Sequence, residues 1–215
     1  LSEIVLGGNS EGSVRLGKIL LEPNRKTVGG YFDSRITSPH QITGDETSFM
    51  LHTEKHNGNL PSNLYLLAGD PSLELQAQVI SQISGQTLPP NSWGNVHLWL
   101  KDLVVACTSK LGGANVTTII DCNPSFSAYT ELSMVAAERL IVPCSSDGSS
   151  ARAIDNVGAL LFGIGTNPPA YASVGFNSRA GSSGLPIPVI HSVLLNRSTQ
   201  YNKEASKAFG AMFET

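Results

Sequence analysis

Four short aliphatic runs punctuate this chain, and stretches of helical periodicity separate them. The runs are Asn63–Ala68 (NLYLLA), Val116–Ile120 (VTTII), Arg139–Pro143 (RLIVP) and Val189–Leu195 (VIHSVLL). Each has strand length and is followed by turn-forming residues. The intervening stretches are too long for hairpins and read as helices. Crossover connections of that kind join parallel strands. The expectation is an α/β fold with a mostly parallel, doubly wound sheet flanked by helices. Residues 1–215 are read as a single partial domain, with a loop-rich segment over 1–62 and parallel βα units over 63–215.

The stretch Val116 to Thr130 (VTTIIDCNPSFSAYT) carries the most chemistry. Its β-branched opening fits a strand buried on both faces. The run stops at Asp121, and a carboxylate is costly to bury, so the expected place is the carboxyl end of the strand, facing a crevice. Pro124 bars continuation in a central ladder. Ser125 or Ser127 then caps a helix starting near Ala128. In open α/β sheets such strand ends bind ligands. Two readings of Asp121 stand side by side. It is a turn or capping carboxylate, or it holds a metal-bound water beside a nucleotide phosphate, as the second acidic motif of P-loop enzymes does.

Composition narrows the function classes. The chain has 215 residues, enough for one sizeable core, with a net charge of −3. That balance gives no overall basic field for nucleic acid and leaves only a local patch. The three cysteines, Cys107, Cys122 and Cys144, lack CxxC spacing and read as reduced thiols of a cytoplasmic protein. Cys122 has no sequence-local base and reads as a small buried hydrophobe rather than a nucleophile. His52 and His56 lie four apart on the chain without a ligand pattern around them. No apolar run reaches the roughly 18 residues of a membrane span.

Taken in order, Leu1 to Leu6 reads as a helix closed by Gly7-Gly8. Leu16, Ile19, Leu20 and Leu21 give a turn or two of helix before Pro23. Asp70 ends the first aliphatic run as a turn residue before Pro71, and Ser72 caps a helix carrying Leu73, Leu75, Val79, Ile80 and Ile83. A helix from about Asn95 to Lys110 points Trp99, Leu103, Val104 and Cys107 inward, and Gly112-Gly113 stop it. Ser145 to Ser150 is a polar loop, and a helix follows from Ala151 to Phe162. Asn196-Arg197 ends the last aliphatic run, before a final helix with Ala205, Ala208, Phe209 and Met212 on one face. Three polar strand ends, at Asp121, at Ser145 to Ser150 and at Asn196, therefore line one edge of a parallel sheet. The Asn196 amide offers a donor and an acceptor in one plane, which suits a purine edge, or it is a strand-end cap.

The order of these segments resembles ParA-type partition ATPases, the deviant-Walker P-loop group that includes MinD. The resemblance rests on TTIIDCNPSFSAYTELSMVAAERLIVPCSSDGSSARAIDN, on NLYLLAGD upstream and on LLNRST downstream. It covers about residues 60 to 215 and, more faintly, Leu1 to Gly8. It implies that Asp121 is the catalytic carboxylate ordering water around Mg²⁺. It also implies that Asn196, Arg197 and Pro124 contact the nucleotide, with Asn196 on the adenine. Asp147 would lie at the face where two subunits sandwich ATP, and Lys203 and Lys207 are candidates for a DNA-facing patch. The implied partners are a second copy in an ATP-dependent homodimer, DNA bound without sequence preference, and a ParB-like activator.

One departure is larger than these matches. The family's glycine-rich loop carries lysines that cradle and neutralise the phosphates. Nothing here reads GxxxxGK[ST]; Gly29-Gly30 and Gly112-Gly113 lack the lysine. The expectation is a piece of a longer ATPase that lacks the N-terminal phosphate loop and the C-terminal end, and is itself inactive. The alternative is a non-enzymatic, nucleotide-free scaffold or interaction protein on the same fold.

Overall fold

The computed structural model describes residues 1–8, 10–113, 115–122, 127–145, 148–164, 175–196, 200–201 and 204–205. The chain divides into two compact units, Leu1–Ala136 and Ala137–Thr215.

The first unit is mainly helical. Helix α1 spans Ser2–Val5, and Gly7 (φ 134°) and Gly8 (φ 85°) follow it, a backbone region that side chains avoid. Helix α2 spans Glu11–Leu20, longer than its apolar residues announce. It packs on α1 so closely that a Cβ on Gly12 would lie 1.8 Å from the Glu3 carbonyl oxygen. Helix α3, Val28–Thr37, lies inside the segment read as loop-rich. Its start is set by Thr27, whose hydroxyl accepts from the Gly30 backbone N–H at 2.9 Å. Two short 3-10 turns, Glu46–Phe49 and Thr53–Lys55, flank β1, Leu51–His52.

The first aliphatic run forms only a short strand, β2 (Tyr65–Leu66), paired antiparallel with β1. Beyond it, Ala68 makes an isolated parallel bridge to Thr27. The run thus lies between an antiparallel and a parallel neighbour. Helix α4 spans Leu73–Ser84, and Ser72 at its N-cap makes no side-chain cap bond. Its hydroxyl is instead turned back to Asp70 at 2.7 Å.

The single helix expected near 95–110 is two. Helix α5 covers Ser92–His97 and α6 covers Trp99–Lys110, with Leu98 between them. Trp99, Leu103 and Cys107 face inward as their spacing requires, and Gly112 (φ 97°) and Gly113 (φ 67°) follow the stop. With Tyr31, Phe32, Phe49, Ile80, Val96, Leu100 and Leu132 they make the core of this unit. Helix α7, Ala128–Ala136, closes it with Leu132 and Val135 fully buried.

The expected strand over Val116–Ile120 is not in a ladder among the described residues. Ile120 packs against the core, whereas Ile119 is 86% exposed. The run is exposed over residues 117–119 and only half-buried at Val116 and Ile120, so the reading of two buried faces is corrected. Branched side chains favour a pleated surface only when a neighbouring strand supplies one.

The second unit follows the sequence more closely. Strand β3, Arg139–Cys144, and β4, Val189–Leu195, pair in parallel, from Arg139 beside Val189 to Cys144 beside Leu195. A register shift falls between Leu140 and Ile141 and leaves His191 without an opposite residue. The connection between the strands contains α8, Gly148–Phe162, and α9, Phe176–Ser182. Leu161, Phe176 and Ala180 are buried, and the Asn177 amide donates to the Leu161 carbonyl at 2.6 Å. Near the end of the chain, β5 (Gln200–Tyr201) and β6 (Glu204–Ala205) pair antiparallel. That corrects the expected final helix at these positions. Only two residues separate the strands, the connection length that tight hairpins favour.

Candidate functional site

Asp121 stands where the run ends, in the first unit, and it is exposed. It makes no ion pair with a described residue, so its carboxylate is open to solvent. Cys122 beside it is also exposed, which corrects its reading as a small buried hydrophobe. Desolvation around the sulfur nonetheless pushes the Cys122 thiol up, and the Asp121 charge adds to this against a hydrogen bond to Ser133. A raised thiol holds little thiolate, and this shift runs opposite to the one that activates a nucleophilic cysteine. Ser133 sits on α7 and donates to the Tyr129 carbonyl at 2.8 Å. Ser127, one of the two expected caps, is at the start of α7, but its buried hydroxyl oxygen makes no hydrogen bond. The helix begins on its backbone carbonyl, which accepts from Thr130 and Glu131 at 2.9 and 3.1 Å.

Asn196 stands in the second unit, at the carboxyl end of β4, and is exposed. Its backbone N–H donates to the Cys144 carbonyl at 2.6 Å, one step past the last strand pair. The carboxyl ends of β3 and β4 therefore lie side by side, and α8 starts four residues after Cys144. Pro124, Asp147, Arg197, Lys203 and Lys207 lie outside the described residues.

Sequence reasoning missed the most connected polar cluster, which surrounds Asp70. The Asp70 side chain is almost fully buried. One carboxylate oxygen accepts from the Ser72 backbone N–H at 2.9 Å and from the Ser72 hydroxyl at 2.7 Å. The other accepts from the Thr27 hydroxyl at 2.7 Å and pairs with the Arg25 guanidinium at 3.1 Å. Burial alone would raise this carboxyl, but the bonds from Ser72 and Thr27 and the Arg25 charge outweigh it and hold it below its ordinary value. Arg25 also reaches Asp33, and the Gln76 amide donates to the Gly29 carbonyl at 2.8 Å and to Asp33 at 2.5 Å. Every oxygen of Asp70 is occupied from within the chain, which is the behaviour of a turn residue grown into a structural hub. The turn reading of Asp70 was legible in the Asp-Pro-Ser sequence. Its distant partners, Thr27 and Arg25 in the segment before α3, were not.

Two further buried polar groups belong to the core. Arg35 is 3% exposed; it pairs with Asp102 at 2.9 Å and donates to the Tyr31 hydroxyl at 3.0 Å. Its guanidinium lies 5.4 Å from the Trp99 ring centre. Burial raises the Asp102 carboxyl despite the hydrogen bond and charge of Arg35. Arg35 falls on the same helical stripe as Tyr31 and Phe32, a sequence signal that was available. His97 is 1% exposed and stacks on Trp93 with ring centres 3.7 Å apart. Its Nδ1 faces the Trp93 carbonyl at 2.8 Å and its Nε2 faces Glu131 at 2.9 Å. The ring ties α5 to α7, a pairing across 34 positions that sequence spacing does not announce.

Among the described residues no three His, Cys, Asp or Glu side chains gather as a metal site. Among the described residues no helix is long and apolar enough to cross a membrane. No protein-family model, curated protein or solved structure matches the chain.

Proposed function

We propose that this chain is part of a cytoplasmic ParA-like ATPase with a P-loop-type doubly wound fold, acting in DNA segregation or cargo positioning. The reading is supported by the sequence order of DCNPS, RLIVP and LLNRS together with the parallel β3–β4 pair, whose carboxyl ends carry Asn196. In this reading Asp121 orders water beside the metal and phosphates. Pro124 shapes the turn, and Asn196, with Arg197, selects adenine. Asp147 faces the second subunit, and Lys203 and Lys207 face DNA. Bound ATP with Mg²⁺ supplies the phosphoryl group and the counter-charge for its transfer. Nucleotide then biases an equilibrium between two states of different DNA affinity, and a ParB-like partner accelerates the return.

Residues 12–18 match GxxxxGK, but Ile19 stands where Ser or Thr is required and the stretch lies inside α2 rather than in a loop, so the phosphate cradle is not assigned to it. The test is titration with a fluorescent ATP analogue and Mg²⁺, with and without Asn196→Ala, beside a steady-state ATPase assay. Adenine-dependent binding weakened by Asn196→Ala, without turnover, supports the reading. Turnover that disappears on Asp121→Ala overturns the account of the phosphate loop. Binding indifferent to the base, or none at all, removes the adenine assignment and favours the interaction protein.

A further inference from the structure

We draw no further inference here: the strongest candidate, the exposed apolar face of the parallel β3–β4 pair formed by Ile141, Val189 and Leu194, carries nothing because nothing in the structure shows what covers it.

Discussion

The Thr27 hydroxyl donates to the Asp70 carboxylate at 2.7 Å across 43 positions of chain, while its own oxygen accepts the Gly30 N–H that starts α3. One side chain thus caps a helix and anchors a strand end. The Val28 N–H adds a backbone bond to the Ala68 carbonyl at 2.8 Å. The polar links between α3 and the β2–α4 turn are therefore concentrated at one point.

Removing Asp70 is predicted to be costly. Asp70→Ala leaves the Thr27 and Ser72 hydroxyls without this acceptor and Arg25 with Asp33 as its remaining carboxylate, and losing such a largely buried cluster is expected to cost about 2–4 kcal/mol. Asp70→Asn keeps the shape and part of the bonding and is expected to lose less. Urea unfolding curves measure both. A loss below about 1 kcal/mol for Asp70→Ala would show that the cluster contributes little.

The same carboxyl sets an acid limit. Its folded value lies below the ordinary one, so its stabilisation is fully present above about pH 4 and is lost as pH falls through the folded value. Unfolding free energies of the wild type and Asp70→Asn are expected to converge in that acid range. A difference that stays constant down to the lowest pH at which both fold would contradict the linkage.

Glycine substitutions separate close approach from mere flexibility. A Cβ on Gly29 would lie 2.6 Å from the Asp70 side chain, whereas a Cβ on Gly17 meets nothing within 4 Å. Gly29→Ala is expected to destabilise by about 1–3 kcal/mol through overpacking. Gly17→Ala, inside α2, is expected to stabilise by about 0.5–1 kcal/mol. Thermal melts of the two variants should move in opposite directions.

The Arg35–Asp102 pair predicts a double-mutant result. Asp102→Ala leaves the buried Arg35 guanidinium unpaired, and about 3 kcal/mol or more is expected to be lost. Combining Arg35→Met with Asp102→Leu removes both charges and is expected to recover much of that loss. If the double variant is the less stable of the two, the pair itself stabilises the fold.

Asp121→Ala tests the role proposed for this carboxylate. The residue is exposed and makes no ion pair with a described residue, so a change within about 0.5 kcal/mol is expected. In a longer protein that hydrolyses ATP, the same change is expected to lower the magnesium-dependent rate, because ordering the metal's water acts on the transition state. A large drop in melting temperature would make Asp121 structural, and an unchanged rate would make it a surface turn.

Local signals in the sequence determined several elements outright. Gly7-Gly8 end α1, Gly112-Gly113 follow α6, the RLIVP run extends to Cys144 as β3, and Val189–Leu195 is β4 as read. In each case the information is carried by neighbours in the chain: a positive φ, an apolar period, a breaker. Tertiary structure alone decided the fate of the two carboxylates that follow aliphatic runs. Asp70 and Asp121 both follow an aliphatic run, with a proline next to Asp70 and one three residues beyond Asp121. Asp70 is buried because Thr27 and Arg25 arrive from far up the chain to satisfy its oxygens. Asp121 is exposed, and Ile119 with it, because a branched run becomes a two-sided strand only where another segment supplies its hydrogen bonds.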